Sequence, residues 1–165
     1  MLVKAVESSG GSWDSVNLWK FYAVCEVQFG CVDSAVSVLQ AATSQPTGGQ
    51  AELQEQLQKY VDMYQPDNSE RVMQEARLSE QLNAEIAARS GFEQELQILK
   101  EASDSSKEIS RGEVATWKAY LGYMNSRGGA RPLFDRCLAR CTVHQLEDIL
   151  IFSSKNLSLN RPHWT

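Results

Sequence analysis

The clearest structural signal in this chain lies in residues 117–138, which read WKAYLGYMNSRGGARPLFDRCL. Trp117, Tyr120 and Met124 are spaced three and four residues apart, so they share one face of a helix. The glycine pair at 128–129 is a natural end for that helix. Pro132 suits the first turn of a following helix, where no backbone N–H bond is needed. We therefore expect a helical hairpin at about residues 112–142.

A similar pattern lies near the start of the chain. Tyr22, Glu26 and Gly30 follow Trp19 by 3, 7 and 11 residues, and Gly128 follows Trp117 by the same 11 residues. Asp33 can cap a second helix, which predicts another hairpin at about residues 14–43. The two tryptophans are 98 residues apart, about three periods of a ~34-residue helical repeat.

Between these hairpins, apolar residues at helical spacing predict further helices. One is expected at about residues 51–65, and a long helical segment at about 70–102, with a kink or break near Gly91. Ser110 and Glu113 form a capping-box pattern, and residues 145–153 show a last helical pattern. We expect about six or seven helices in one all-α domain spanning residues 1–165. Their predicted arrangement is a right-handed stack of antiparallel helix pairs, a TPR-like α-solenoid.

Composition narrows the function. The chain has 165 residues, an ordinary length for one domain. Its net charge of -5 argues against extensive electrostatic binding to nucleic acid. No run approaches the ~18 apolar residues of a membrane span, and the first residues lack the apolar core of a signal peptide. With no secretory signal, the four cysteines are expected to be reduced thiols of the cytosol or nucleus.

The pattern Trp-x2-Tyr, Gly, then Ala-Arg-x-Leu-Phe-x-Arg-x-Leu resembles the half-a-TPR (HAT) repeat of RNA-processing scaffolds. The match is good in the second copy, although Met124 replaces the usual Glu. In the first copy Val36 and Ala41 replace both arginines. The resemblance assigns structural roles in the repeat to ten residues. They are Trp19, Tyr22, Glu26, Gly30, Trp117, Tyr120, Gly128, Arg131, Phe134 and Arg136.

A closer likeness covers residues 89–141. Arg89-x-x-Phe92-Glu93, followed after an insert by the Trp117 segment and Leu133-Phe134-Asp135-Arg136-Cys137, resembles the central region of the pre-mRNA-processing factor 39 family. Members of that family are HAT-repeat proteins associated with the U1 snRNP and are several hundred residues long. The short chain is consistent with a fragment, a splice form or a reduced homologue. Asp148 and Ile151 stand where the family usually has another Trp and Tyr.

The resemblance implies a non-catalytic scaffold in pre-mRNA splicing, located in the nucleus. Its implied partners are other splicing-factor proteins. The resemblance also implies a homodimer or a heterodimer with a related HAT protein, and any contact with RNA is expected to be indirect or weak. Two alternatives stay open. One is a HAT scaffold of another particle, such as that of 3′-end cleavage and polyadenylation. The other is a helical adaptor unrelated to RNA.

Individual residues permit sharper interpretations. Trp19, Tyr22, Trp117 and Tyr120 could stack RNA bases, but their helical spacing favours packing between helices. Arg131 and Arg136 are the candidates for partner binding, although an ion pair or hydrogen bond between hairpins is the favoured interpretation.

Chemistry-bearing motifs are few. Cys137, Cys141 and His144 share a helical face and could ligate zinc, but no fourth ligand stands at a familiar spacing, so buried thiols are favoured. The only histidines are His144 and His163, and no phosphate-binding or nucleophile-elbow motif is present. We expect no metal, no cofactor and no enzymatic activity.

Overall fold

Apolar residues at helical spacing form helices throughout the described chain. The computed structural model describes residues 2–102, 109–127, 130–141 and 143–156. Every regular element in these ranges is helical, so the all-α prediction is confirmed. The helices are α1 (Leu2–Ser9), α2 (Val16–Gln28), α3 (Val32–Thr43), α4 (Gln50–Tyr64), α5 (Ser69–Glu75), α6 (Glu80–Ala102), α7 (Arg111–Asn125), α8 (Ala130–Arg140) and α9 (Val143–Asn156), with a 3-10 turn at Pro66–Asn68. A repeat of antiparallel pairs stays a prediction.

The chain divides into two compact units, Met1–Ala88 and Arg89–Thr165. The boundary falls within α6, and each unit has a hydrophobic core of its own. The prediction of one domain over residues 1–165 stays a prediction.

In the first unit, α2 packs on α3 and α3 packs on α4. Trp19 of α2 is only 5% exposed and packs in a core with Leu39 of α3 and Leu57 of α4. Its indole N–H donates to the carbonyl oxygen of Gly10 at 2.9 Å, so burial leaves this polar group satisfied.

The end of α2 depends on Gly30, as the sequence predicts. Gly30 has a φ of 78°, a left-handed conformation that glycine adopts without a Cβ penalty. Its N–H donates to Val27 O at 2.9 Å, and the N–H of Cys31 donates to Glu26 O at 2.8 Å. These two bonds form a Schellman motif, which satisfies carbonyls at the helix end. The chain can therefore turn back at once into α3.

The prediction that Asp33 caps α3 is wrong. The tight turn after Gly30 lets α3 begin at Val32, so Asp33 lies within the first helical turn. There its carboxylate accepts a hydrogen bond from the Gln65 side-chain amide at 2.6 Å.

The long segment at residues 70–102 also differs from its prediction. It breaks between α5 and α6, at residues 76–79, whereas α6 runs unbroken through Gly91. The Ser79 hydroxyl accepts a hydrogen bond from the N–H of Leu82 at 3.1 Å, as an N-cap residue does. This break and the unpredicted α1 raise the described α-helices above the six or seven expected.

In the second unit, α7 packs on α8 and on α9. Its core brings together Trp117 and Leu121 of α7, Phe134 and Cys137 of α8, and Ile149 of α9. The Ser110 hydroxyl accepts a hydrogen bond from the N–H of Glu113 at 3.1 Å, so the predicted cap of α7 is present. Among the described helices, none is long and apolar enough to cross a membrane.

Candidate binding site

In the second unit, a bidentate ion pair links α6 to α8. Arg136 Nη1 donates to Glu93 Oε1 at 2.7 Å, and Arg136 Nη2 donates to Glu93 Oε2 at 2.8 Å. The guanidinium also lies 5.8 Å from the centre of the Trp117 ring. Bidentate pairing of this kind fixes geometry as well as adding energy. Arg136 is thus placed by its partners on two neighbouring helices.

Aromatic rings lie beside this ion pair. Phe92 of α6 stacks on Tyr120 of α7, with ring centroids 4.8 Å apart and planes 10° from parallel. Phe92 also meets Tyr123, with centroids 5.7 Å apart. Burial raises the pKa of the Tyr120 phenol, and the charge of Glu93 and a hydrogen bond to it raise the pKa further. Tyr120 therefore stays protonated at neutral pH and serves as a packing residue.

A cleft of about 260 Å³ opens next to these contacts. We name it the α7 cleft, and its lining comes from α6, α7 and α8. The lining residues are Glu93, Leu96, Gln97, Lys100, Glu113, Trp117, Arg136, Ala139 and Arg140. Because all of them belong to the second unit, this cleft is built by one packed group of helices.

Two residues that line the cleft each carry a buried polar atom without a partner among the described residues. Glu113 is 2% exposed; its Oε1 accepts a hydrogen bond from Arg140 Nε at 3.2 Å, whereas its Oε2 bonds to nothing in the described chain. Trp117 is 5% exposed, and its indole Nε1 likewise finds no acceptor among the described residues. Buried polar groups are normally hydrogen-bonded, so these two atoms need partners from outside the described residues, such as water or a ligand.

The thiols of Cys137 and Cys141 lie together in α8 and just after it. Their sulfur atoms are 3.8 Å apart. Burial raises the pKa of both thiols, and the neighbouring Cys141 raises the pKa of Cys137 further. The side chain of His144 lies outside the described residues. The hypothesis that Cys137, Cys141 and His144 together ligate zinc is therefore not tested by the structure.

The remaining predicted site residues occupy different environments. Tyr22 is half-buried and packs against the core of the first unit, and Glu26 is half-buried. Phe134 is buried and Arg131 is exposed. Gly128 lies outside the described residues. The structure brings together Trp117, Tyr120 and Arg136, and Trp19, Tyr22, Glu26 and Gly30 belong to the other unit.

The sequence did not identify Glu93, Glu113 and Arg140 as residues of one site. Glu93 stands in the family-like motif, but nothing in the spacing links it to a residue 43 positions away. Glu113 was expected to complete a capping box, and instead its carboxylate pairs with Arg140. Arg140 carried no signal beyond a basic residue in the last turn of a helix.

Comparison with family models, curated proteins and solved structures finds no match to this chain. Its function has therefore to be inferred from its own residues.

Proposed function

We propose that this chain is a non-catalytic helical scaffold that binds other proteins during pre-mRNA splicing, in or near the U1 snRNP, in the nucleus. The proposal rests on one observation. Residues of the motif that resembles the pre-mRNA-processing factor 39 family contact one another across three helices. Glu93 of α6 pairs with Arg136 of α8, and Phe92 of α6 stacks on Tyr120 of α7. Contacts that link successive helices in this way suit a stacked helical protein.

The state of the titratable groups supports binding rather than catalysis. A general acid or base works best with a pKa near the operating pH. Burial moves the pKa values of Tyr120 and Cys137 upward, away from neutrality. The carboxylates of Glu93 and Glu113 are held by arginines in the cleft. These groups suit packing and ion pairing between helices.

Charge supports a protein partner over direct RNA binding. The chain carries a net charge of -5, while RNA binding requires unpaired cations facing the phosphates. In the cleft, Arg136 and Arg140 already have carboxylate partners. RNA of the particle would therefore be reached through its proteins.

Affinity capture tests this proposal. The tagged full-length chain is incubated with nuclear extract, half of it treated with ribonuclease, and the bound proteins and RNA are identified. We expect U1 snRNP proteins in both halves and U1 RNA only in the untreated half. Recovery of polyadenylation factors without U1 proteins would assign the chain to 3′-end processing. Recovery of no RNA-processing protein would overturn the proposal in favour of an unrelated adaptor.

A further inference from the structure

We propose that the α7 cleft binds an extended peptide segment of the partner protein through its main chain. One peptide N–H donates to Glu113 Oε2, and a peptide carbonyl accepts from Trp117 Nε1. This inference rests on the proposed scaffold function and names the chemistry that the scaffold recognises.

The first step is the cost of the two unpartnered atoms. A buried polar group that has lost its water and gained no partner is destabilising. Glu113 Oε2 and Trp117 Nε1 are both in this state, and both residues line the same cleft. A ligand that satisfies both atoms removes both penalties, which makes its binding favourable.

The second step is the pairing that these atoms require. The carboxylate oxygen of Glu113 needs a donor, and the indole N–H of Trp117 needs an acceptor. A simple anion offers no donor to the carboxylate, and an ammonium group offers no acceptor to the indole. The peptide main chain offers one donor and one acceptor per residue.

The third step is spacing. Glu113 and Trp117 lie one turn apart on α7, which separates their backbones by about 6 Å along the helix axis. In an extended strand, the N–H and C=O of one residue point to the same side, as paired strands use them. An extended main chain lying along α7 therefore presents both a donor and an acceptor on the side that faces α7. A side-chain amide, with its nitrogen and oxygen on one carbon, spans less of this distance.

The fourth step is the character of the remaining lining. Leu96 gives the cleft an apolar wall, and Gln97 lies exposed at its rim. The volume of about 260 Å³ far exceeds the roughly 30 Å³ that one water takes up in the liquid. There is room for a peptide residue and parts of its neighbours, with affinity from the main chain and selectivity from the side chains.

Peptide selection followed by NMR tests the inference. A phage-displayed library of random linear peptides is selected on the full-length chain, and the selected peptides are titrated into the chain labelled with nitrogen-15. The chain has four tryptophans, and the Trp117 indole resonance is identified by its loss in Trp117→Phe. We expect this resonance to shift on peptide addition more than the other indole resonances do. Selection of no binder, or of binders that leave it unmoved, would overturn the proposal.

Matched variants identify the hydrogen bonds. Methylating the peptide nitrogens one at a time should raise Kd about tenfold at one position, where the donor to Glu113 is lost. Glu113→Gln should also raise Kd about tenfold, whereas Glu95→Gln on the exposed part of α6 should leave Kd unchanged. Equal sensitivity at every peptide nitrogen would overturn the main-chain contact, even if Glu113→Gln failed to fold.

The two proposals fail in different ways. If nuclear extract yields U1 proteins equally with wild type and with folded Glu113→Gln, the scaffold function stands and the cleft is not its binding site. If selected peptides shift the Trp117 resonance but the extract yields no splicing protein, the cleft binds peptides and the assignment to splicing fails.

Discussion

At the scale of single residues, the Glu93–Arg136 pair links α6 to α8. The Glu93 side chain is 15% exposed and that of Arg136 is 37% exposed, so solvent screens the pair only in part. A double-mutant cycle with Glu93→Ala and Arg136→Ala should give a coupling of about 1 kcal/mol, the upper end for ion pairs at a surface. Urea unfolding measures it. A coupling near zero would show that the pair contributes no stability, and loss of partner binding by folded Arg136→Ala would make this residue part of the interface.

The buried indole of Trp117 should contribute far more stability than an exposed ring. Trp117→Ala removes a side chain packed between α7 and α8, and is expected to cost ~3–5 kcal/mol of unfolding free energy. Phe29→Ala is the matched control, because Phe29 is 82% exposed and its loss leaves no cavity. Thermal and urea unfolding of both variants measure the difference. An unchanged melting temperature for Trp117→Ala would contradict the packing assignment.

Cysteine reactivity should follow burial and thiol pKa. The thiolate is the reactive form, and burial raises the pKa of Cys137 from its ordinary value of 9.0, so little thiolate forms at pH 8. In the folded chain we expect iodoacetamide to modify the exposed Cys31 first and Cys137 last, with mass spectrometry following each site. Above about pH 9 stability should fall, because the unfolded chain ionises its thiol first. Equal rates at Cys31 and Cys137 would contradict the buried position.

At the scale of helices, two glycines should respond in opposite ways to alanine. Gly30 has a φ of 78° at the end of α2, so Gly30→Ala should destabilise the chain by about 1 kcal/mol. Gly91 lies within α6, and a Cβ there would meet nothing within 4 Å, so Gly91→Ala should stabilise by about 0.5–1 kcal/mol. Urea unfolding measures both. Destabilisation by Gly91→Ala would show that α6 bends at this residue.

Helices could be located from the sequence because their signals are local. The periodicity around Trp19, Leu57 and Trp117, the glycine after α2 and the serine before α7 place α2, α4 and α7 within a few residues. The sequence does not predict the break at Ser79, because apolar residues continue at helical spacing from Val72 to Leu82. This periodicity outweighs the capping signal of Ser79. Gly91 suggested a break instead, yet an isolated glycine costs a helix only about 1 kcal/mol.

The α7 cleft could be predicted only in part. The aromatic and arginine residues were singled out by their pattern, but the pairing of Glu93 with Arg136 depends on how α6 packs beside α8. Similarly, the pairing of Glu113 Oε1 with Arg140 depends on how α8 packs beside α7. Such contacts join residues far apart in the sequence, where periodicity carries no information.

At the scale of the whole molecule, net charge predicts weak direct binding to RNA. With a charge of -5, the isolated full-length chain should bind a generic single-stranded RNA only weakly at physiological salt. Fluorescence anisotropy with labelled oligouridine checks this. Sub-micromolar affinity would contradict the expectation of indirect contact and would favour exposed aromatic or basic residues as an RNA surface.

Site-specific photocrosslinking in nuclear extract tests the central claim most directly. The full-length chain carries a benzophenone amino acid in place of Gln97, an exposed residue at the rim of the α7 cleft. Its matched control carries the same amino acid in place of Met63, an exposed residue of the first unit. We expect the Gln97 position to crosslink to a protein of the U1 snRNP and the Met63 position not to. Absence of that crosslink, or a crosslink to a polyadenylation factor instead, would contradict a U1 scaffold that binds its partner through this cleft.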